Sequence, residues 1–283
     1  MAELSLVVLA AGMARRFGSL KQVAPVGPGD EALIDHTIHD AAEAGLDRVV
    51  VVVRNDIRGE VVEHLARRSS LPMTVVEQPG PGPGRTRPWG AAEAVSLALG
   101  ACEGPVAVVN ADDHYGADAM AALSGWLRSA ACRAGRAALV TWPLAATTSP
   151  GGAVTRAVCE LAPDGSTVTG LVEHAVVVVL ADGTTTAEGV EVPADVPVSM
   201  NLWGFAPGLG RPLAEAVARF QDDHRHESDA ELPLPTAVDG LVADRLLTVE
   251  ALPAGTTWVG VTHPGDLDEA RAAMAHLDPI PVR

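Results

Sequence analysis

Near the N-terminus, Leu6-Val7-Val8-Leu9 runs into Ala10-Ala11-Gly12, and Arg15, Arg16, Gly18 and Lys21 follow closely. A short apolar run ending in a small-residue turn reads as a parallel strand buried on both faces, which commits the chain to an α/β sheet. Alanine and glycine at the turn let a ligand reach the main chain. Three cations in a glycine-containing loop can converge with amide N–H groups on one polyphosphate, so the turn reads as a nucleotide site. Neither common glycine motif accounts for it. Ser19 and Leu20 separate Gly18 from Lys21, unlike a Walker A loop, and G-x-G-x-x-G is absent.

Of twenty basic residues nineteen are Arg, and Lys21 is the only lysine. A compact ammonium fits between phosphates where a planar guanidinium is too wide, so a lone lysine kept at this place points to phosphate contact. The net charge of −16 repels nucleic acid and anionic membranes. An anionic substrate then needs the local basic loop and a divalent cation such as Mg²⁺, which directs attention to nearby carboxylates. Cys102, Cys132 and Cys159 fit neither a disulfide framework nor a zinc site. No signal-peptide pattern or membrane-length apolar run is present, so a cytoplasmic location is expected. Nothing in the sequence speaks to oligomeric state.

Along the chain, helices are expected over Ile34 to Ala44 and around Ile57, Val61 and Leu65, and strands over Arg48 to Arg54 and Met73 to Val76. This β/α alternation suits a parallel sheet with right-handed crossovers. The Pro/Gly-rich stretch from Gln78 to Gly90 interrupts it and leads into a helix over Ala91 to Leu99, with Arg85 and Arg87 as candidate phosphate contacts. Pro105 to Val109 is the next buried strand, and it delivers Asp112 and Asp113 to the carboxyl edge where open α/β sheets bind ligands. Adjacent hard carboxylates there suit Mg²⁺; the alternative is that Asp112 or Asp113 caps a helix from Gly116 to Ser129, a role that falls to Asp113 if Asp112 holds the metal. After Ala137 to Trp142 the pattern changes to Val154 to Leu161, Thr167 to Val172 and Val176 to Leu180, read as strands joined by Asp164-Gly165 and Asp182-Gly183 turns. Asn201 is embedded in the strongly patterned strand Val198 to Phe205, where a buried amide needs a partner. Helices over Leu209 to Phe220, Leu232 to Ala243 and Leu267 to Leu277 and a strand over Arg245 to Ala251 complete the pattern.

The first loop resembles the L-A-A-G-x-x-x-R-F/M-x-x-x-x-K signature of the sugar-1-phosphate nucleotidylyltransferases and related NDP-sugar pyrophosphorylases, with Gly12, Arg16, Phe17 and Lys21 in its positions. Pro88-Trp89-Gly90-Ala91-Ala92-Glu93-Ala94 is similar to the family's P-x-G-[LT]-A-x-A segment, and Asn110-Ala-Asp112 matches its G-D-N or D-x-D segment. The resemblance implies a GT-A-like fold, a Rossmann-like three-layer sandwich with a mostly parallel central sheet and an antiparallel acceptor-site insertion. It implies one nucleotidyltransferase domain over 1–283, with 1–145 binding the NTP and 146–283 binding the acceptor and ending in a helix. Leu9, Ala10, Ala11, Gly12, Gln78, Trp89, Gly90 and Asp113 would surround the nucleotide. Arg16, Lys21 and Asp112 would be catalytic, Glu173 and Asn201 would meet the acceptor, and Asp112 would hold the divalent cation. The family commonly carries W-x-D-x-G-T near the C-terminus, with the Asp as a second metal ligand. This chain offers Gly260 there, and Asp266, Asn201 and Glu173 are the candidate replacements, Asp266 first.

The expected reaction joins an NTP to a small phosphorylated acceptor, a sugar-1-phosphate by first choice, with release of pyrophosphate. Transfer to a non-sugar phosphate or phosphonate, a glycosyltransferase of the same fold, and a non-catalytic nucleotide-sugar-binding module are the alternatives.

Overall fold

The computed structural model describes residues 2–12, 20–149, 151–180, 182–253, 257–263 and 265–281. β1 (Ser5–Leu9), β2 (Arg48–Val53), β3 (Met73–Glu77) and β4 (Val106–Asn110) form a parallel block in the order β3-β2-β1-β4. Helices α1 (Leu33–Glu43), α2 (Arg58–Arg68) and α3 (Ala91–Leu99) lie in the crossovers between successive strands. Chain order therefore reverses at β1, since β2 lies on one side of it and β4 on the other. A crevice opens at the carboxyl ends of two parallel strands wherever their crossovers leave in opposite directions.

The sequence dictates why β1 and β2 sit at the centre. Val49 to Val53 are completely buried, each side chain gaining roughly 1.5–3 kcal/mol over exposure. Alternation divides them between two layers: Leu6, Val8, Val49, Val51 and Val53 pack with α1 and α2, and Val7, Val50 and Val52 pack with α3.

The remaining elements complete the sandwich. A two-residue β5 (Asp113–His114) follows β4, and α4 (Ala117–Leu127) and α5 (Ala130–Arg133) lead to β6 (Ala137–Pro143). The antiparallel insertion is β7 (Val154–Leu161), β8 (Thr167–Val179), β9 (Thr185–Ala187) and β10 (Val190–Glu191). β11 (Pro197–Phe205) then enters the sheet between β4 and β6, antiparallel to both, and β12 (Val249–Pro253) pairs in parallel with β6. Between them α6 (Gly210–Asp223) and α7 (Leu234–Ala243) cover the α3 face. Finally β13 (Val259–Gly260) pairs with β5, and α8 (Asp266–Met274) follows.

Several boundaries differ from the sequence reading, α6 running on to Asp223 and α8 ending at Met274 among them, and three differences have a clear physical reason. β8 is one strand where two are expected, because β7 stays in register opposite the polar residues, pairing Ala157 with Glu173 and Arg156 with His174. The helix expected to run to Ser129 stops at Leu127, and Ser129 instead caps α5 by accepting from the Cys132 amide at 3.3 Å. The strand expected from Arg245 starts at Val249, since Arg245 has φ 59° and cannot lie in a ladder.

α1 seats against β5 through His36, whose ring centroid lies 5.8 Å from that of His114. Burial, then the charge of His114, lowers the His36 pKa against the opposing pull of Glu31, Asp35 and Asp40. The unfolded chain then takes up the proton more readily than the fold does, so this part of the stability is complete above the ordinary value of 6.5 and declines as pH falls below it. His36→Gln is expected to flatten the loss of urea midpoint on acidification below that value. An unchanged slope would assign the acid sensitivity to other groups.

Candidate active site

The crevice at the β1/β4 reversal holds a cavity of about 260 Å³. Leu9, Ala11 and Gly12 line it from the tip of β1, Asn110 and Asp112 from the end of β4, and Gln78 and Gly90 from either end of the Pro/Gly-rich loop. Glu231, just before α7, completes the wall. Leu9, Ala11, Gly12, Gln78, Gly90 and Asp112 are thus brought to one place from four segments of the chain.

The tip of β1 is held open from behind. Arg54 Nη1 donates to the Ala11 carbonyl at 2.6 Å, and Gln22 Nε2 donates to the Gly12 carbonyl at 3.1 Å. Arg54 is itself fixed on Asp56 through Nε at 3.0 Å and Nη2 at 2.9 Å. The Leu9 carbonyl is engaged as well, accepting from the Ala111 amide at 3.2 Å. The Ala11 and Gly12 N–H groups themselves have no acceptor among the described residues. Two main-chain donors without partners at a strand tip suit an anion or a base carbonyl.

On the opposite side Lys21 Nζ sits 2.5 Å from Asp112 Oδ2, with the lysine mostly buried and the aspartate one-third exposed. Asp113, the first residue of β5, is buried. Asn110 Nδ2 donates to its Oδ2 at 2.8 Å and Tyr115 Oη at 3.3 Å. Burial, and then the neighbouring Asp112 charge, push the Asp113 carboxyl well above the usual carboxylate range, while Asn110, Arg156 and Lys21 oppose the shift. The expected capping role for Asp113 is not what the structure shows, because the α4 N-cap is Gly116 at φ 80° with no side-chain cap.

Gly260 pairs directly with Asp113 across β13 and β5. A Cβ at Gly260 would run into the Trp258 ring and lie 2.5 Å from Asp113 Oδ1, so the aspartate carboxylate already occupies the space beside it. Asp266 is placed differently. Its carboxylate accepts from the amides of Thr262 at 2.7 Å and His263 at 2.6 Å and from Ser149 Oγ at 2.5 Å, closing the turn into α8. Burial alone would raise its pKa, but these three donors outweigh burial and leave it below the usual range. In this structure Asp266 anchors the turn into α8.

Other candidate residues are occupied elsewhere. The Ala10 amide continues the ladder to the Val52 carbonyl at 2.9 Å, so Ala10 is core. The Trp89 ring lies under the Arg85 guanidinium, 3.2 Å from its centroid, and edge-on to Phe220, away from the cavity lining. Arg85 donates to the carbonyls of Glu227 at 2.8 Å and Ala230 at 2.5 Å, and Arg87 pairs with Glu231 at 2.7 Å. Both arginines thus tie the loop to the 227–231 segment. Glu173 stands mid-strand on the exposed part of β8, with desolvation raising its pKa. Asn201 has φ 61° within a β11 bulge and accepts from Trp203 Nε1 at 3.1 Å. Neither lines the cavity. Arg15, Arg16 and Phe17 lie outside the described residues.

Arg156 is the charged group that sequence reading misses. It is buried in β7, donates to the carbonyls of Thr147 and Thr155, and stands 5.2 Å from the Trp258 ring centroid. Burial lowers its pKa to about 10 against the pull of Asp113, Asp266 and Asp112, so it remains a fixed positive charge behind the carboxylates. The available signal was its place on the inner face of an alternating strand, two residues from Val154 and from Val158.

Fold and site together are those of a nucleotidyltransferase. The chain belongs to the MobA-like NTP transferase domain family, whose sequence profile matches residues 6–224. No curated protein matches the sequence. Among solved structures, it resembles a Bacillus anthracis protein assigned as a glucose-1-phosphate thymidylyltransferase, in complex with sucrose (TM-score 0.67, 12% identity, covering 97% of this chain and 96% of that one). It also resembles UDP-glucose pyrophosphorylase complexed with UDP-glucose (0.66, 15%, 96% and 98%) and the inositol-1-phosphate CTP transferase of T. maritima (0.64, 12%, 97% and 97%). These likenesses fix the fold.

Gly260→Ala is expected to cost about 1–3 kcal/mol in urea unfolding by forcing Trp258 and Asp113 apart. A wild-type midpoint would show that the β13–β5 contact is looser than its geometry.

Proposed function

We propose that the protein joins an NTP to a small phosphorylated acceptor, a sugar-1-phosphate by first choice, and releases pyrophosphate. The observation that carries this reading is the Lys21–Asp112 pair at the rim of a cavity whose other wall offers unengaged main-chain N–H groups. The base and ribose would lie between the β1 tip and Gly90, with the phosphates toward Lys21. The named substrates of the three structural neighbours support a sugar-1-phosphate, with a polyol phosphate as the second choice.

An acceptor phosphate oxygen is already anionic, so attack on the α-phosphorus needs no general base. Catalysis would rest on positioning and on neutralising charge as pyrophosphate departs. Lys21, drawn from Asp112 to the phosphates, would supply a mobile point charge, and Arg16 would add a second cation. Behind them Arg156 would keep the carboxylates from repelling the incoming acceptor.

Asp112 and Asp113 fit a divalent cation: they are hard oxygen donors, adjacent and mutually repelling, and Gly260 leaves Asp113 Oδ1 the room that a side chain would take. Among the described residues no group of three or more His, Cys, Asp or Glu side chains is gathered for a metal, so substrate phosphates and water would complete the shell. When bound, the cation would polarise the α-phosphoryl oxygens and offset the charge on pyrophosphate. Glu173 and Asn201 remain the proposed acceptor contacts, on the strands that flank Arg156 and follow it. We further propose that residues 1–283 act as one domain in the cytoplasm.

Pyrophosphate release should be measured with Mg²⁺ over all NTPs crossed with sugar-1-phosphates, polyol phosphates and phosphonates. Lys21→Ala and Asp112→Ala are each expected to lower kcat by about 10² to 10³ while leaving the fold intact. Lys21→Arg is expected not to restore the rate. Release of nucleoside diphosphate from a nucleotide sugar would instead identify a glycosyltransferase. NTP binding without turnover on any acceptor would favour a regulatory module.

A further inference from the structure

Gln78, buried at the end of β3, donates through Nε2 both to the Gly90 carbonyl at 3.0 Å and to Glu93 Oε2 at 2.9 Å. A carbonyl and a carboxylate only accept, so the NH₂ must face them both and the amide has one orientation. Glu93, in the first turn of α3, is held in turn by Gln221 Nε2 of α6, which donates to Oε1 at 3.2 Å. The NH₂ of Gln78 is thereby committed to two protein acceptors in the wall of the cavity that its side chain lines, and Oε1 is the polar atom left without a partner among the described residues.

We propose that Glu93 is a specificity-determining positioning residue, which locks the Gln78 amide so that its carbonyl faces the nucleobase and the site reads an N–H donor on the base edge. The inference rests on the nucleotide site proposed above. Glu93 touches no substrate itself; it acts through Gln78. Were it a neutral amide, a turned Gln78 would find a donor at position 93 and only the Gly90 carbonyl would still call for the NH₂, so the orientation would be held less firmly and the base could meet a donor in a share of molecules. Discrimination is lost most readily when a fixed hydrogen-bonding group becomes free to turn.

The test is titration calorimetry of the full-length protein with ATP, CTP, GTP, UTP and dTTP, for wild type and Glu93→Gln, with kcat and KM from pyrophosphate release. The wild type is expected to favour one base. Glu93→Gln should weaken that NTP by about tenfold and bring the others to within a few fold, with KM rising and kcat unchanged. Gln221→Met, which frees only the outer oxygen of Glu93, should shift the same ranking in the same direction by a smaller factor. An unchanged ranking in both variants overturns the proposal. Equal weakening of every NTP also overturns it, since that is the mark of a merely structural helix-terminal acid. A wild type that binds no NTP would fail earlier and overturn the nucleotide-site reading together with this one.

Discussion

β1 pairs in parallel with β2 on one side and β4 on the other, and the molecule is built around that double pairing. It requires a strand with no polar side chain on either face, which Leu6 to Leu9 supplies, and it makes the two crossovers leave in opposite directions. The crevice is a consequence of the topology. What the crevice can bind is set by the residues that end the two strands: small ones at Ala11 and Gly12, and carboxylates at Asp112 and Asp113.

The electrostatics depend on the same place. Two adjacent aspartates at a strand end would repel each other in a half-buried setting, and the protein answers with two cations, Lys21 and Arg156. Lys21 pairs directly with Asp112, and Arg156 lies buried, committed to main-chain carbonyls. A single-point ammonium on a flexible stem and a guanidinium fixed on main-chain carbonyls are suited to different tasks, the second to holding the resting site together.

Lys21, Asp112, Gly90 and the alternating first half were legible because each announces itself locally, by spacing, by composition or by a turn. Arg54, Gln22 and Arg156 were not, since their work is done on carbonyls or charges distant in sequence. Asp266 shows the converse difficulty. An acid near an expected metal site looks like a ligand in one dimension, yet three donors from its own turn and from Ser149 take up its oxygens. The merger of two expected strands into β8 has the same origin: the polar residues at 173–175 look like a break until the register with β7 is known.

The cavity wall near Gly90 joins parts of the chain that lie far apart. A Cβ on Gly90 would strike the main chain of Leu232, Arg85 and Thr86 bond to carbonyls in the 227–230 segment, and β11 is threaded between β4 and β6. The matched family region ends at residue 224, so part of the wall is built by chain beyond it. The first half consequently cannot be exchanged as a cassette. A chimera that keeps residues 1–224 but carries a foreign C-terminal segment would retain every signature motif and still lack one side of this cavity.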